Sequence, residues 1–151
     1  MGAIQPSPPI LELARRARVV HAVEPGGSLE VYLPRQDVAV TFVEGRLTAA
    51  MAERWIETLD RHFTRGARFN TFHDWDQMTS YDSAARQALT SWVVSSIRHI
   101  LSADFFATHG MVRMGVAAAG VATALAGLRV EVHSARPPFL RAIEQCLAPQ
   151  P

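Results

Sequence analysis

Apolar and polar positions change period several times along this chain, and each change marks an element. Leu29, Val31 and Leu33 alternate with polar neighbours, the pattern of a strand with one wet face. Val38 to Val43 is an almost unbroken apolar run, as in a strand covered on both sides. Pro34-Arg35-Gln36-Asp37 is a turn between them, so the two runs predict a β-hairpin. Gly45 bends the chain and Thr48 is placed to cap a helix. Met51, Trp55, Ile56, Leu59 and Phe63 follow at helical spacing, and Gly66 suits the end of that helix.

The next stretch, Arg68 to Ser83, organises the rest. Phe69 and Phe72 carry strand propensity, and Asp74 and Asp76 predict the point where the strand leaves the core. Thr79 or Ser80 is expected to cap the following helix, with Asp82 in its first turn. Ala85, Leu89, Trp92, Val93, Ile97 and Ile100 define that helix's apolar side, and Arg86, Gln87, Thr90, Ser91 and Ser95 its polar side. Beyond it the pattern predicts a short extended piece at Phe105 to Thr108 and a strand of small residues at Val112 to Ala118. An Ala-rich helix is expected over Gly120 to Gly127, and an alternating edge strand at Arg129 to His133. Pro137 and Pro138 suit the first turn of a last helix with Leu140, Ile143, Leu147 and Cys146 inward.

Ahead of the hairpin, Met1 to Pro9 is Pro-rich, Ile10 to Val20 carries a weak helical stripe, and Pro25 to Ser28 is a turn. The expected division is an N-terminal arm over residues 1–28 and one α/β domain over 29–151. Strands alternating with helices after an initial hairpin predict a mostly parallel sheet of four to five strands with one antiparallel edge, packed by about four helices.

Composition narrows the function classes. Apolar residues at 48% and charged residues at 19% make a globular core and exclude a disordered chain. A formal net charge of +1 provides no field for nucleic acid or a membrane surface, and Arg15, Arg16 and Arg18 read as a solvated helix face. Cys146 is the only cysteine, which excludes an internal disulfide. No basic start followed by an apolar run marks a secretory leader, and the longest uncharged stretch, Met114 to Leu128, is shorter than the roughly 20 residues of a membrane helix. A cytoplasmic location is the expectation.

Candidate chemistry is sparse. His73, Asp74 and Asp76 have metal-ligand character, yet neighbours along a strand point to opposite faces, and no spaced partner motif accompanies them. Ser83 with His99 or His109 and Asp76 lacks a nucleophile elbow. Gly115 to Gly120 lacks the lysine and glycine spacing of a phosphate cradle. No catalytic residue, metal or cofactor is therefore expected. Trp55 and Trp92 fit core stripes, whereas Trp75 stands outside any stripe and suits a core or an interface position equally.

The element order and the corner Tyr81-Asp82-Ser83-Ala84-Ala85 resemble the STAS superfamily (sulfate transporter and anti-sigma factor antagonist domains), in its SpoIIAA-like branch, over roughly Leu29 to Leu147. In that family the central strand ends in an Asp-Ser-Ser/Thr-Gly corner, whose second hydroxyl is phosphorylated by a kinase that doubles as an anti-sigma factor. Asp82 and Ser83 match its first two positions; Ala84 replaces the acceptor and Ala85 the glycine. The resemblance implies a non-enzymatic regulatory domain that docks another protein, an anti-sigma kinase or a larger assembly. Its contact surface would be Asp74, Trp75, Asp76, Ser80, Tyr81, Asp82 and Ser83 with Arg86, Gln87 and Thr90. Ser83 and Ser80 would be the candidate phosphorylation sites, and the edge at Arg129 to His133 a route to a homo-oligomer. The related SEC14-like lipid-binding domains share the topology and imply the alternative, a carrier of a small apolar ligand. A small hydrolase or metal enzyme is the third reading.

Overall fold

A computed structural model describes residues 16–63, 68–110, 112 and 127–149. Its elements are β1 (Arg18–Glu24), β2 (Gly27–Arg35), β3 (Val38–Leu47), α1 (Ala49–Phe63), β4 (Phe69–Asp74), β5 (Met78–Tyr81), α2 (Ser83–Ser96), β6 (Ile100–Phe106), β7 (Arg129–His133) and α3 (Arg136–Leu147). The sheet runs β1-β2-β3-β4-β6-β7, with β5 paired to β3 off that path. β1, β2 and β3 form an antiparallel meander, and every later pairing is parallel.

The expected hairpin, α1, central strand, α2, edge strand and last helix are all present. Thr48 caps α1 as its position predicts, its Oγ1 accepting from the Met51 N–H at 3.2 Å. Four expectations are corrected. The sheet has seven strands rather than four to five, and three helices are defined among the described residues. Arg18–Glu24 is a strand hydrogen-bonded to β2, so the folded body includes residues assigned to the N-terminal arm, and Arg18 to Val20 is extended where a helical stripe was expected. The strand beside β4 is Ile100–Phe106, so Ile100 begins a strand instead of ending the helix. Thr79 and Ser80 lie in β5 and cap nothing; the N-cap position of α2 is Asp82. Of Val112 to Ala118 only Val112 is described, and it belongs to no strand. Gly66, the Gly115 to Gly120 stretch and the expected helix up to Ala126 lie outside the described residues.

The sheet buries a different core on each face. On one side Leu29, Val31, Val43 and Phe69 meet Met51, Trp55, Leu59 and Phe63 of α1, with Phe63 and Phe69 stacked at 3.9 Å between centroids. On the other, Tyr32, Val38, Val40, Phe72 and Phe106 meet Phe139 and Ile143 of α3. Burial on both faces explains the nearly continuous apolar run of β3.

One glycine sets where the corner is built. Gly45 has φ +70°, and a Cβ there would lie 2.1 Å from the Gly26 carbonyl oxygen of the neighbouring turn. β3 pairs with β4 as far as Phe42 and, from Gly45 on, with β5. The Gly45 N–H donates to Gln77 O at 2.9 Å, holding the approach to β5. No helix among the described residues is long and apolar enough to cross a membrane.

Candidate functional site

The link from β4 through β5 to α2 brings the predicted corner together, but not as an open acidic edge. Asp74 ends β4 on the α3 side of the sheet and is 4% exposed. Its Oδ2 accepts from the Arg136 guanidinium at 2.6 Å, and Asp76 Oδ2 lies 3.8 Å from the same guanidinium. Arg136 also sits over the Phe106 ring at 4.9 Å. Burial raises the Asp74 pKa, while Arg136 and the Asp76 amide pull it back down. Asp76 accepts a further bond from Thr108 Oγ1 at 2.6 Å. The expectation that these two acids leave the core is corrected for Asp74: its charge is balanced inside by the first residue of α3.

His73 points the opposite way, as neighbours on a strand must. It is buried, with Nδ1 2.8 Å from Thr41 Oγ1, and burial lowers its pKa to about 3, leaving it neutral. Trp75 is half-buried and packs edge-on to Trp55 and Phe105 at 6.2 and 4.9 Å. It thus joins the core cluster rather than standing free. His73 and Phe105 complete an aromatic box, with centroids 4.6 Å apart.

Asp82 does not cap its own helix. Its carboxylate accepts from Arg46 Nε at 2.6 Å and from the Ala49 N–H at 3.3 Å, so it serves the start of α1 beside Thr48. Asp82 thereby ties the corner to β3 and α1. Ser80 and Tyr81 are half-buried on β5, whereas Ser83, Arg86, Gln87 and Thr90 are exposed along the first turns of α2. Ser83 opens that helix, where an added phosphate would face free amides. Of the fourteen residues of α2 only Ala85 is fully buried, while Leu89, Trp92 and Val93 pack partly against the core on the α1 side. Leu89, Trp92 and Val93 are half-buried, and Val94 is 59% exposed.

Beneath α2 lies an apolar cavity of about 120 Å³, of the kind the SEC14-like alternative implies but with lining residues that the sequence alone did not identify. Trp55, His73, Trp75, Tyr81, Leu89 and Phe105 are among its lining residues. The indole Nε1 atoms of Trp55 and Trp75 are buried with no hydrogen-bond partner among the described residues. Two unpaired donors on an apolar wall are costly unless an acceptor meets them. The signal available in the sequence was the aromatic density of Trp55, Phe69, His73, Trp75 and Phe105, yet aromatic residues at core spacing do not distinguish a filled core from a lined one.

The mixed sheet with its N-terminal antiparallel meander and helix-linked parallel strands has the SpoIIAA-like fold. Two solved structures share it at 10% sequence identity. One is a DUF3478-family protein with a SpoIIAA-like fold from Shewanella loihica PV-4, with a TM-score of 0.60 over 81% of this chain and 94% of that one. The other is the anti-sigma factor antagonist SpoIIAA in its unphosphorylated form, with a TM-score of 0.57 over 78% of this chain and 96% of that one. No protein-family model and no curated protein matches the sequence.

Proposed function

We propose that this chain is a non-enzymatic regulatory domain that docks another protein through the β5–α2 corner and the outer side of α2. The observation that carries the reading is the outer side of α2, where Ser83, Arg86, Gln87, Thr90 and the apolar Val94 are exposed while Leu89, Trp92 and Val93 turn towards the core. An exposed apolar residue set among exposed polar ones on a helix suits a docking surface. Ser80, Tyr81, Ser83, Arg86, Gln87 and Thr90 form the surface, with Trp75 and Asp76 at its inner margin. Asp74 and Asp82 support it from within, through Arg136 and Arg46. The resemblance to an anti-sigma factor antagonist supports a protein partner. Ala84 at the expected acceptor position leaves Ser83 as the hydroxyl that a kinase would reach.

The test is affinity capture with the wild type and with Ser83, Arg86, Gln87 and Thr90 replaced together by alanine. All four are exposed, so the variant folds, which circular dichroism checks. A partner captured by the wild type and lost by the variant supports the reading. Equal capture by both, or none by the wild type, overturns it.

The cavity favours a second reading, a carrier of a small apolar ligand bearing one hydrogen-bond acceptor. Its volume is close to the roughly 150 Å³ that admits a benzene-sized molecule, so it suits a ring or the end of a chain. Native mass spectrometry of the purified chain distinguishes the two, since a carrier retains a bound mass that organic extraction removes.

A further inference from the structure

The opposite side of the sheet holds a second, polar cavity of about 460 Å³ between α3 and strands β4, β6 and β7. Sheet register assembles a cluster on its wall. Asp104 of β6 pairs directly with Glu131 of β7, and His133 follows Glu131 by two residues on the same face. Asp104 is 1% exposed, His133 is 9% exposed, and Glu131 is at the open margin. One ligand atom from each of the three lies within 4.8 Å of the others, and His133 Nε2 is 2.8 Å from Asp104 Oδ2.

We propose that Asp104, Glu131 and His133 form a binding site for a divalent first-row transition-metal cation. Two carboxylates and one imidazole are a donor set for zinc, manganese or iron, whereas magnesium and calcium take oxygen donors. Donors about 2.1 Å from a shared ion stand about 3.0 to 3.4 Å apart in octahedral or tetrahedral geometry. The Asp104–His133 pair is near that separation already, and a side-chain rotation of exposed Glu131 completes the set. The cavity leaves the remaining positions to water or to a ligand, as an exchangeable site requires.

Charge balance gives the site a built-in competitor. Arg129 spans the same two carboxylates, its two terminal nitrogens 3.1 Å from Glu131 and 3.4 Å from Asp104, while its own side chain is 64% exposed. A divalent cation takes over the charge that this guanidinium now balances, and Arg129 can swing into solvent without being desolvated. A purely structural ion pair would lose stability when Arg129 is removed and gain nothing in return. A cation site becomes stronger.

Isothermal titration of the tag-free, chelator-treated full chain with zinc chloride and with manganese chloride tests this. The expected result is saturable binding of one ion per chain. Glu131→Gln and His133→Gln should weaken it by at least the roughly tenfold that losing even an outer-sphere partner costs, and Arg129→Gln should tighten it severalfold. Glu131 is exposed, so its variant reports on binding even where a substitution at buried His133 or Asp104 impairs folding. No saturable binding to either ion overturns the proposal. Binding that Glu131→Gln leaves unchanged does so too, as does binding that Arg129→Gln weakens.

Discussion

Asp74 Oδ2 and the Arg136 guanidinium meet at 2.6 Å, joining the end of the central strand to the start of α3. The carboxylate's side chain is 5% exposed and the arginine's 20%. Removing one member of a buried pair strands the other. Arg136→Met should therefore cost about 3 kcal/mol in urea unfolding at pH 7, and Asp74→Asn/Arg136→Met together should recover most of that loss. The pH dependence has a definite sign. Burial raises the Asp74 pKa, so its contribution to stability is full below the ordinary carboxylate range and is lost as pH rises through the raised value. Taking away Arg136 raises the pKa further, so the deficit of Arg136→Met should grow as pH rises from 4 to 7. A deficit that is constant over that range would rule out an uncompensated Asp74 charge.

The fold was legible where period and punctuation agreed. Leu29 to Val43 announced its hairpin, and Met51 to Phe63 its helix. Element boundaries failed where a residue satisfied two periods at once. Ile97 and Ile100 are three apart, so Ile100 reads as another helical turn, although it starts β6. Ser102 and Asp104 then disguise β6, because these buried polar residues face the second cavity rather than a core. β1 offers only Val20 and Ala22 to the core, too little to outweigh the adjoining arginines. Within the site, the alternation of His73 and Asp74 across the strand followed from backbone geometry alone. The burial of Asp74 did not, since it depends on Arg136, 62 residues away. The Asp104, Glu131 and His133 cluster likewise exists only through the register of β6 on β7.

His73 should make this protein sensitive to mild acid. Its pKa is lowered from 6.5 to about 3 by burial, so the unfolded chain takes up a proton that the folded chain refuses. Stability from this residue is complete above pH 6.5 and declines as pH falls towards 3, at about 1.4 kcal/mol per pH unit. Replacing His73 by leucine with Thr41 by valine removes both members of the buried hydrogen bond, so neither is left unpaired. Urea unfolding between pH 6.5 and 4.5 should then show a shallower loss than the wild type, by about 2 to 3 kcal/mol across the range. Parallel curves would mean that His73 is protonated in the folded state.

Gly45 should tolerate no side chain. Its φ of +70° disfavours any L-residue, and the 2.1 Å approach of a Cβ to the Gly26 carbonyl oxygen involves backbone on both sides. Relief requires β2 and β3 to part, where the Gly45 N–H also holds Gln77. Gly45→Ala should cost more than about 2 kcal/mol and disturb the β5–α2 corner. Gly26→Ala is the matched control, with φ +90° but nothing within 4 Å of its Cβ. Amide exchange at Met78 to Tyr81 should rise in the first variant and stay near wild type in the second. Equal effects would assign the cost to φ alone.

Two tryptophans in the same core should respond in opposite order to their burial. Trp55 is 3% exposed, with Nε1 unpartnered among the described residues, whereas half-buried Trp92 donates Nε1–H to Asp60 Oδ1 at 2.7 Å. Trp→Phe removes the same atoms at either site. At Trp55 it also removes a buried unpaired donor, a relief of about 1 to 3 kcal/mol, whereas at Trp92 it removes a made hydrogen bond to the exposed carboxylate of Asp60 with no such relief. Trp55→Phe should therefore destabilise the ligand-free chain less than Trp92→Phe does, despite the deeper position. If the cavity carries an apolar molecule with an acceptor, Trp55→Phe should also lower retention of that molecule in native mass spectrometry, while Trp92→Phe should not. A larger cost at Trp55 in chain stripped by organic extraction would show that its indole has a protein partner, and the acceptor-bearing ligand would lose its main support.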